Sequence, residues 1–128
     1  MKISEYLDNN SGIGILSTAS NDGEVNGAVY ARPHVVAPDK VAFIMRERLS
    51  RANIKQNAHA HYLFLEEGAK SKGIRLHLDM LEESDDPEVI RRLSRREPRS
   101  DDEERRYLVT FRVRKALSLL GGRELSIN

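Results

Sequence analysis

The sequence contains no cysteine, which excludes disulfides, thiolate nucleophiles and cysteine-ligated metals. It has no tryptophan, and aromatic residues make up only 5% of the chain. Phe43, Tyr62 and Phe64 fall in apolar runs where a core needs them, so stacking on nucleic-acid bases is not suggested. A formal net charge of +1 lacks the basic excess that phosphate-backbone binding normally requires. No apolar run approaches the roughly 18 residues of a membrane-spanning helix, and the N-terminus lacks a signal-peptide core. The expectation is a cytoplasmic protein that engages neither membrane nor nucleic acid. There is no Gly-x-Ser-x-Gly elbow, no Walker loop and no Gly-x-Gly-x-x-Gly, so hydrolase, nucleoside-triphosphatase and Rossmann readings have no support.

What is present suits one domain spanning residues 1–128: 128 residues, 39% hydrophobic and 32% charged, enough for a core with an ionic surface. The charge is uneven. Residues 82–106 hold 10 of the 20 acidic and 7 of the 21 basic residues, leaving 14 basic against 10 acidic elsewhere. The positive excess therefore lies in the apolar-rich parts, and 82–106 reads as a charged helix-loop insertion before the last strand, with 99–106 a solvated segment.

Residues 1–10 predict a short amphipathic helix with Ile3, Tyr6 and Leu7 on one side, covering one end of the core. Strands follow at 12–19 and 24–31, joined through Ser20-Asn-Asp-Gly23 as a hairpin. Arg32-Pro33-His34 marks an edge or a bend, because proline removes a ladder donor. Val35-Val36 continue extended, and 41–45 is an apolar strand. Residues 60–65 and 73–81 are further strands, the second alternating Ile74, Leu76, Leu78 and Met80 against Arg75, His77 and Asp79. Asp86 caps and Pro87 opens a helix over 87–96. A last strand covers 107–114, extended by 116–120 to a Gly121-Gly122 turn. Six or seven hairpin-connected strands with about three short helices predict a mainly β, antiparallel barrel.

The anomaly is the corner where the 41–45 strand enters a helix over 50–57. A helix N-terminus favours acidic residues, yet Arg46, Arg48 and Arg51 cluster here with only Glu47 opposing them. Ser50 is the expected N-cap. Orphan N–H groups, a hydroxyl and guanidinium forks together predict an anion site, phosphate above all. The plainer alternative, a solvated basic turn, has comparable weight from this stretch alone. The strand 24–31 is expected to lie beside 41–45, so that a planar ligand along Tyr30-Ala-Arg-Pro-His34 reaches the corner with its phosphate. His59 and His61 share a strand face, but no third ligand stands at a metal-motif distance, so no metal site is expected.

The succession Gly14-Ile-Leu-Ser-Thr-Ala-Ser-Asn-Asp-Gly23, Val25 to His34, Phe43 to Asn57, Tyr62-Leu-Phe-Leu-Glu-Glu67 and Phe111-Arg-Val-Arg-Lys-Ala116 resembles the pyridoxamine 5'-phosphate oxidase-like family of flavin-binding split barrels. The resemblance covers nearly the whole chain through the order of its elements. It implies a homodimer with FMN at the subunit interface and a flavin-dependent oxidoreductase acting on an unassigned small molecule. By position, Val29, Tyr30, Ala31 and Arg32 would border the isoalloxazine, and Met45 and Arg46 the ribityl side. Arg48, Ser50, Arg51 and Asn53 would serve the phosphate. The sequence departs from the oxidase itself: its Ser-Arg-Lys signature is replaced by Arg48-Leu-Ser-Arg-Ala-Asn53, and no C-terminal substrate-binding extension follows Gly122. Pyridoxamine phosphate oxidation is therefore not expected. Arg32 would favour negative charge on the reduced flavin, or else form an edge salt bridge with Glu24 or Asp39. The same barrel would also serve a non-catalytic flavin or haem sensor or carrier, or a cofactor-free structural dimer.

Overall fold

The computed structural model describes residues 1–68, 71–94 and 105–128. Helix α1 spans Ile3–Asp8 and is followed by strands β1 (Gly12–Ala19), β2 (Val25–Val29), β3 (His34–Ala37) and β4 (Lys40–Arg46). Helix α2 (Leu49–Gln56) leads to β5 (His59–Glu66) and β6 (Gly73–Ser84). Helix α3 (Pro87–Leu93), β7 (Arg106–Ser118) and the two-residue β8 (Glu124–Leu125) complete the order. All strand pairs are antiparallel, in the order β2-β1-β5-β6-β7-β4-β3, with β8 added to β7. The fold is mainly β, as the hairpin spacing predicts.

Alternation along each strand decides which face is filled. Ala60, Tyr62 and Phe64 of β5, Ile74, Leu76 and Leu78 of β6, Val41, Phe43 and Met45 of β4, and Tyr107, Val109, Phe111 and Val113 of β7 form one buried core. The sheet curls enough for opposite strands to touch. Phe43 and Tyr62 have ring centroids 5.2 Å apart, although β6 and β7 lie between their strands in the sheet. Ile3 and Leu7 of α1 are buried in the same core, where the sequence places them. A smaller cluster of Ala42, Ile90 and Leu108 packs α3 onto the outer face of β4 and β7. Asp86 accepts a hydrogen bond from the Glu88 N–H at 2.9 Å and Pro87 opens the helix, as expected.

The helix expected over 87–96 ends at Leu93, and within the sheet the sequence reading differs from the structure at three places. The strand expected at 73–81 continues to Ser84, because register shifts at His77/Leu78 and Met80/Glu82 interrupt the alternation without ending the pairing with β7. Glu82, Glu83 and Ser84 are thus ladder residues rather than the start of an insertion; residues 95–104 of that insertion lie outside the described residues. The strand expected at 24–31 stops at Val29, and Tyr30 to Pro33 carry no regular structure. Finally, 24–31 does not lie beside 41–45: β2 and β4 are separated in the sheet, and β3 takes the place next to β4. The two segments still meet through side chains, Tyr30 packing edge-on against Phe43 with centroids 5.7 Å apart.

Candidate functional site: an arginine-lined cleft at the start of α2

β2 and β3 are consecutive in the chain but stand at opposite ends of the sheet. Residues 30–33 bridge the gap between them, and their path is fixed from below. The Tyr30 N–H donates to the Gly14 carbonyl at 3.0 Å, and the Tyr62 hydroxyl donates to the Tyr30 carbonyl at 3.1 Å. Gly14 permits this approach, since a Cβ there would lie 1.8 Å from the Tyr62 hydroxyl oxygen. Arg32 donates to the carbonyls of Leu7 and Asn10, at the C-terminal end of α1 where the helix dipole favours a cation.

On the far side, β4 ends at Arg46, and the Arg48 N–H turns back to the Arg46 carbonyl at 2.8 Å. Helix α2 then begins one residue earlier than expected. Arg48 is its extended N-cap, and the Arg48 side chain makes no capping hydrogen bond of its own. Ser50, the cap expected from sequence, is the second helical residue, and its hydroxyl lies near the Tyr30 phenol. Burial pushes the Tyr30 phenol above its ordinary range, only partly offset by the Ser50 hydroxyl and by the nearby Arg48 charge. The first intrahelical bond runs from the Ala52 N–H to the Arg48 carbonyl, so the N–H groups before it have no intrahelical acceptor. α2 itself is pinned by Asn53, which donates to the Thr18 hydroxyl of β1 at 3.1 Å in a buried pair.

Between these walls lies a cleft of about 790 Å³, within the size range of ligand and cofactor pockets. Its floor is the outer face of β4 at Ala42, Ile44 and Arg46, and Arg106 of β7 stands beside Arg46. Val29, Tyr30, Ala31, Arg32, Arg46, Arg48 and Ser50 all line it, so the structure brings most of the sequence-predicted residues to one place. Three lie elsewhere. Met45 points into the core at 1% exposure, Asn53 is occupied with Thr18, and Arg51 is built into an ion cluster. The Arg51 guanidinium meets Glu83 at 2.7 and 3.2 Å and Glu47 at 2.6 Å, and it stacks 3.5 Å above the Tyr107 ring. Glu83 chiefly raises its pKa further.

Among the described residues, the cleft lining includes four arginines, Arg32, Arg46, Arg48 and Arg106, and no carboxylate. Sequence reasoning missed Arg106, which sits in a charge run read as solvated surface. Its signal was positional: as the first residue of the last strand, it lands opposite Arg46 once β7 pairs with β4. Among the described residues no group of three or more potential metal ligands occurs, and no helix is long and apolar enough to cross a membrane.

No family model and no curated protein matches the sequence, whereas solved structures do match the fold. An FMN-binding protein from Syntrophomonas wolfei aligns with a TM-score of 0.72 and 21% identity, covering 88% of this chain and 80% of its own. A Clostridium acetobutylicum protein related to general stress protein 26, of the pyridoxinephosphate oxidase family, aligns at 0.71 and 16%, covering 95% and 89%. This is the fold of the pyridoxamine 5'-phosphate oxidase-like split barrels. An F420 reductase shares the split barrel at a TM-score of 0.58 and 18% identity, covering 97% of this chain and 94% of its own. In this split barrel the cleft occupies the gap where the sheet does not close, between residues 30–33 and the start of α2.

Proposed function

We propose that the cleft binds FMN in a homodimer, and that the protein is a flavin-dependent oxidoreductase acting on a small molecule. One observation carries this reading: a flavin-sized cleft whose cationic end coincides with the N-terminus of α2 and has no carboxylate among its described lining residues. The likeness to an FMN-binding protein supports flavin over other phosphate esters. Arg48, Ser50 and the first-turn N–H groups of α2 would hold the phosphate. Val29 to Arg32 would lie along the isoalloxazine, with Tyr30 fixed by Phe43 and Tyr62. When bound, FMN supplies the hydride or electron transfer, and the protein supplies position and electrostatics.

The second copy has a surface to meet. Val29, Ile15 and Leu63 are in register across β2, β1 and β5, and Ile13 and Leu65 form the next row. Val29 is 77% exposed and Ile13 60%, an apolar outer face adjoining the cleft that suits a subunit interface.

Visible absorption of the purified protein before and after adding FMN tests the reading. Flavin bands retained through gel filtration are expected, whereas a protein that retains none after incubation refutes flavin binding. In fluorescence titrations Arg48→Ala should weaken FMN by at least about tenfold (roughly 1.4 kcal/mol). A smaller loss would remove Arg48 from the phosphate site. Oxidation of NADH or NADPH by the flavin-loaded protein then separates an enzyme from a carrier.

A further inference from the structure

We propose that Arg51 is a positioning residue for the phosphate end of the cleft: its side chain, clamped by Glu47 and Glu83 over Tyr107, sets where the first turn of α2 stands against the ligand without touching the ligand itself. The inference rests on the reading above, which places a phosphate at that turn. Arg48, Leu49 and Ser50 line the cleft, whereas Arg51 is not among its described lining residues. The N–H groups of Leu49, Ser50 and Arg51 precede the first intrahelical bond, which runs from Ala52 to Arg48. A helix of eight residues is too short to hold its place by its own hydrogen bonds, so side-chain contacts decide where those groups point.

The helix is held at two levels. In its second turn Asn53 donates to Thr18 of β1 at 3.1 Å, and Ile54 is buried in the core. In its first turn Arg51 reaches β6 and β7. Its Nε and Nη2 donate to the two carboxylate oxygens of Glu83 at 3.2 and 2.7 Å, its Nη1 donates to Glu47 at 2.6 Å, and its plane lies 3.5 Å from the centre of the Tyr107 ring. Every guanidinium nitrogen thus meets a carboxylate while one face is stacked, which fixes the group in both position and tilt. A lysine would offer a point charge there and no fork. The anchor exists because β6 runs past Met80: the register shift between Met80 and Glu82 carries Glu83 to a ladder position opposite Val109, two residues along β7 from Tyr107.

Position and charge predict opposite signs at Glu83. Arg51, Glu47 and Glu83 together carry one net negative charge, which does not attract a phosphate. If the cluster acted on the ligand through its charge, Glu83→Gln would remove a negative charge and tighten FMN. Because it acts through position, loosening the fork lets the first turn shift and weakens FMN, displacements of about 1 Å being costly at a shaped site.

The test compares FMN with riboflavin, which lacks the phosphate, by fluorescence titration of the full-length parent and of Arg51→Met, Arg51→Lys and Glu83→Gln. Each variant should weaken FMN at least about fivefold while riboflavin stays within about twofold. General loss of folding would weaken both flavins alike, so their ratio isolates the phosphate end. Glu83→Gln, the mildest change, decides the matter should the Arg51 variants fail to fold. The proposal is overturned if Arg51→Lys binds FMN as the parent does, if Glu83→Gln leaves FMN unchanged or tightens it, or if both flavins weaken together. In each of those cases a parent that prefers FMN to riboflavin still upholds the phosphate site itself. A parent that binds the two flavins equally overturns both. Should the parent bind no flavin, the functional reading fails by itself, and inorganic phosphate is titrated into the unliganded forms. Phosphate binding weakened at least about fivefold by Glu83→Gln then upholds the proposal, whereas binding unchanged by it, or absent from the parent, overturns it.

Discussion

Gly14 has no side chain because the Tyr62 phenol fills the space where one would begin. Gly14→Ala should therefore lower the unfolding free energy by about 3 kcal/mol, measured by urea denaturation. A neutral result would mean that the Tyr62 ring can move aside freely. Tyr62→Phe removes the hydrogen bond to the Tyr30 carbonyl and should cost about 1 kcal/mol. It should also weaken FMN measurably, because Tyr30 lines the cleft. The residue types at the corner were legible in the sequence, since Arg46, Arg48 and Ser50 contradict the usual acidic preference of a helix start. The role of Gly14 was not, because it is set by a tyrosine that is distant in the chain and adjacent only after β1 pairs with β5.

Successive residues of an α-helix point about 100° apart, which is why Ser50 faces the cleft while Arg51 reaches Glu83 on β6. A run of three arginines looks uniform in sequence, and only the helix phase and the partner strand divide them into ligand and anchor. Arg51 is 7% exposed, while its partners Glu47 and Glu83 retain 56% and 27% side-chain exposure. Arg51→Met should then cost about 2 kcal/mol rather than the larger penalty of stranding a fully buried carboxylate. If stability is unchanged, the cluster contributes nothing net. Element positions were readable wherever alternation was unbroken, as in β5 and most of β6. Beyond Met80 the register shift leaves Leu81 41% exposed, and the sequence pattern no longer reveals the strand.

Across the whole molecule, the strand order was the least legible property, because the pairing of β6 with β7 spans the charged 82–106 stretch whose composition suggests only solvent. That pairing also places His61, His77 and Lys115 in one row on the outer face. The two imidazoles stand edge-on with centroids 4.9 Å apart. Burial first, then His77 and Arg75, hold His61 below its ordinary pKa; burial, then Lys115, Arg114 and Arg75, do the same for His77. Because the folded-state values are depressed, the unfolded chain takes up protons first as pH falls. Stability should decline below roughly pH 6.5 and level off once the folded histidines are also protonated. Thermal midpoints of the parent and of the His61→Gln/His77→Gln double variant between pH 7.5 and 5.5 check this. The variant should show the shallower decline, and identical slopes would dismiss the pair as its source.

A sheet whose two ends are joined by four residues of chain rather than by hydrogen bonds has a built-in place to breathe. Among the described residues the outer edges of β2 and β3 have no partner strand in the ladder order, so their amides should open without unfolding the rest of the barrel. Anything seated between residues 30–33 and the start of α2 acts as a rivet across that seam. Occupancy should slow deuterium exchange along β2 and β3 together, far more than in β6 at the centre of the sheet, so ligand binding would be felt as closure of the barrel.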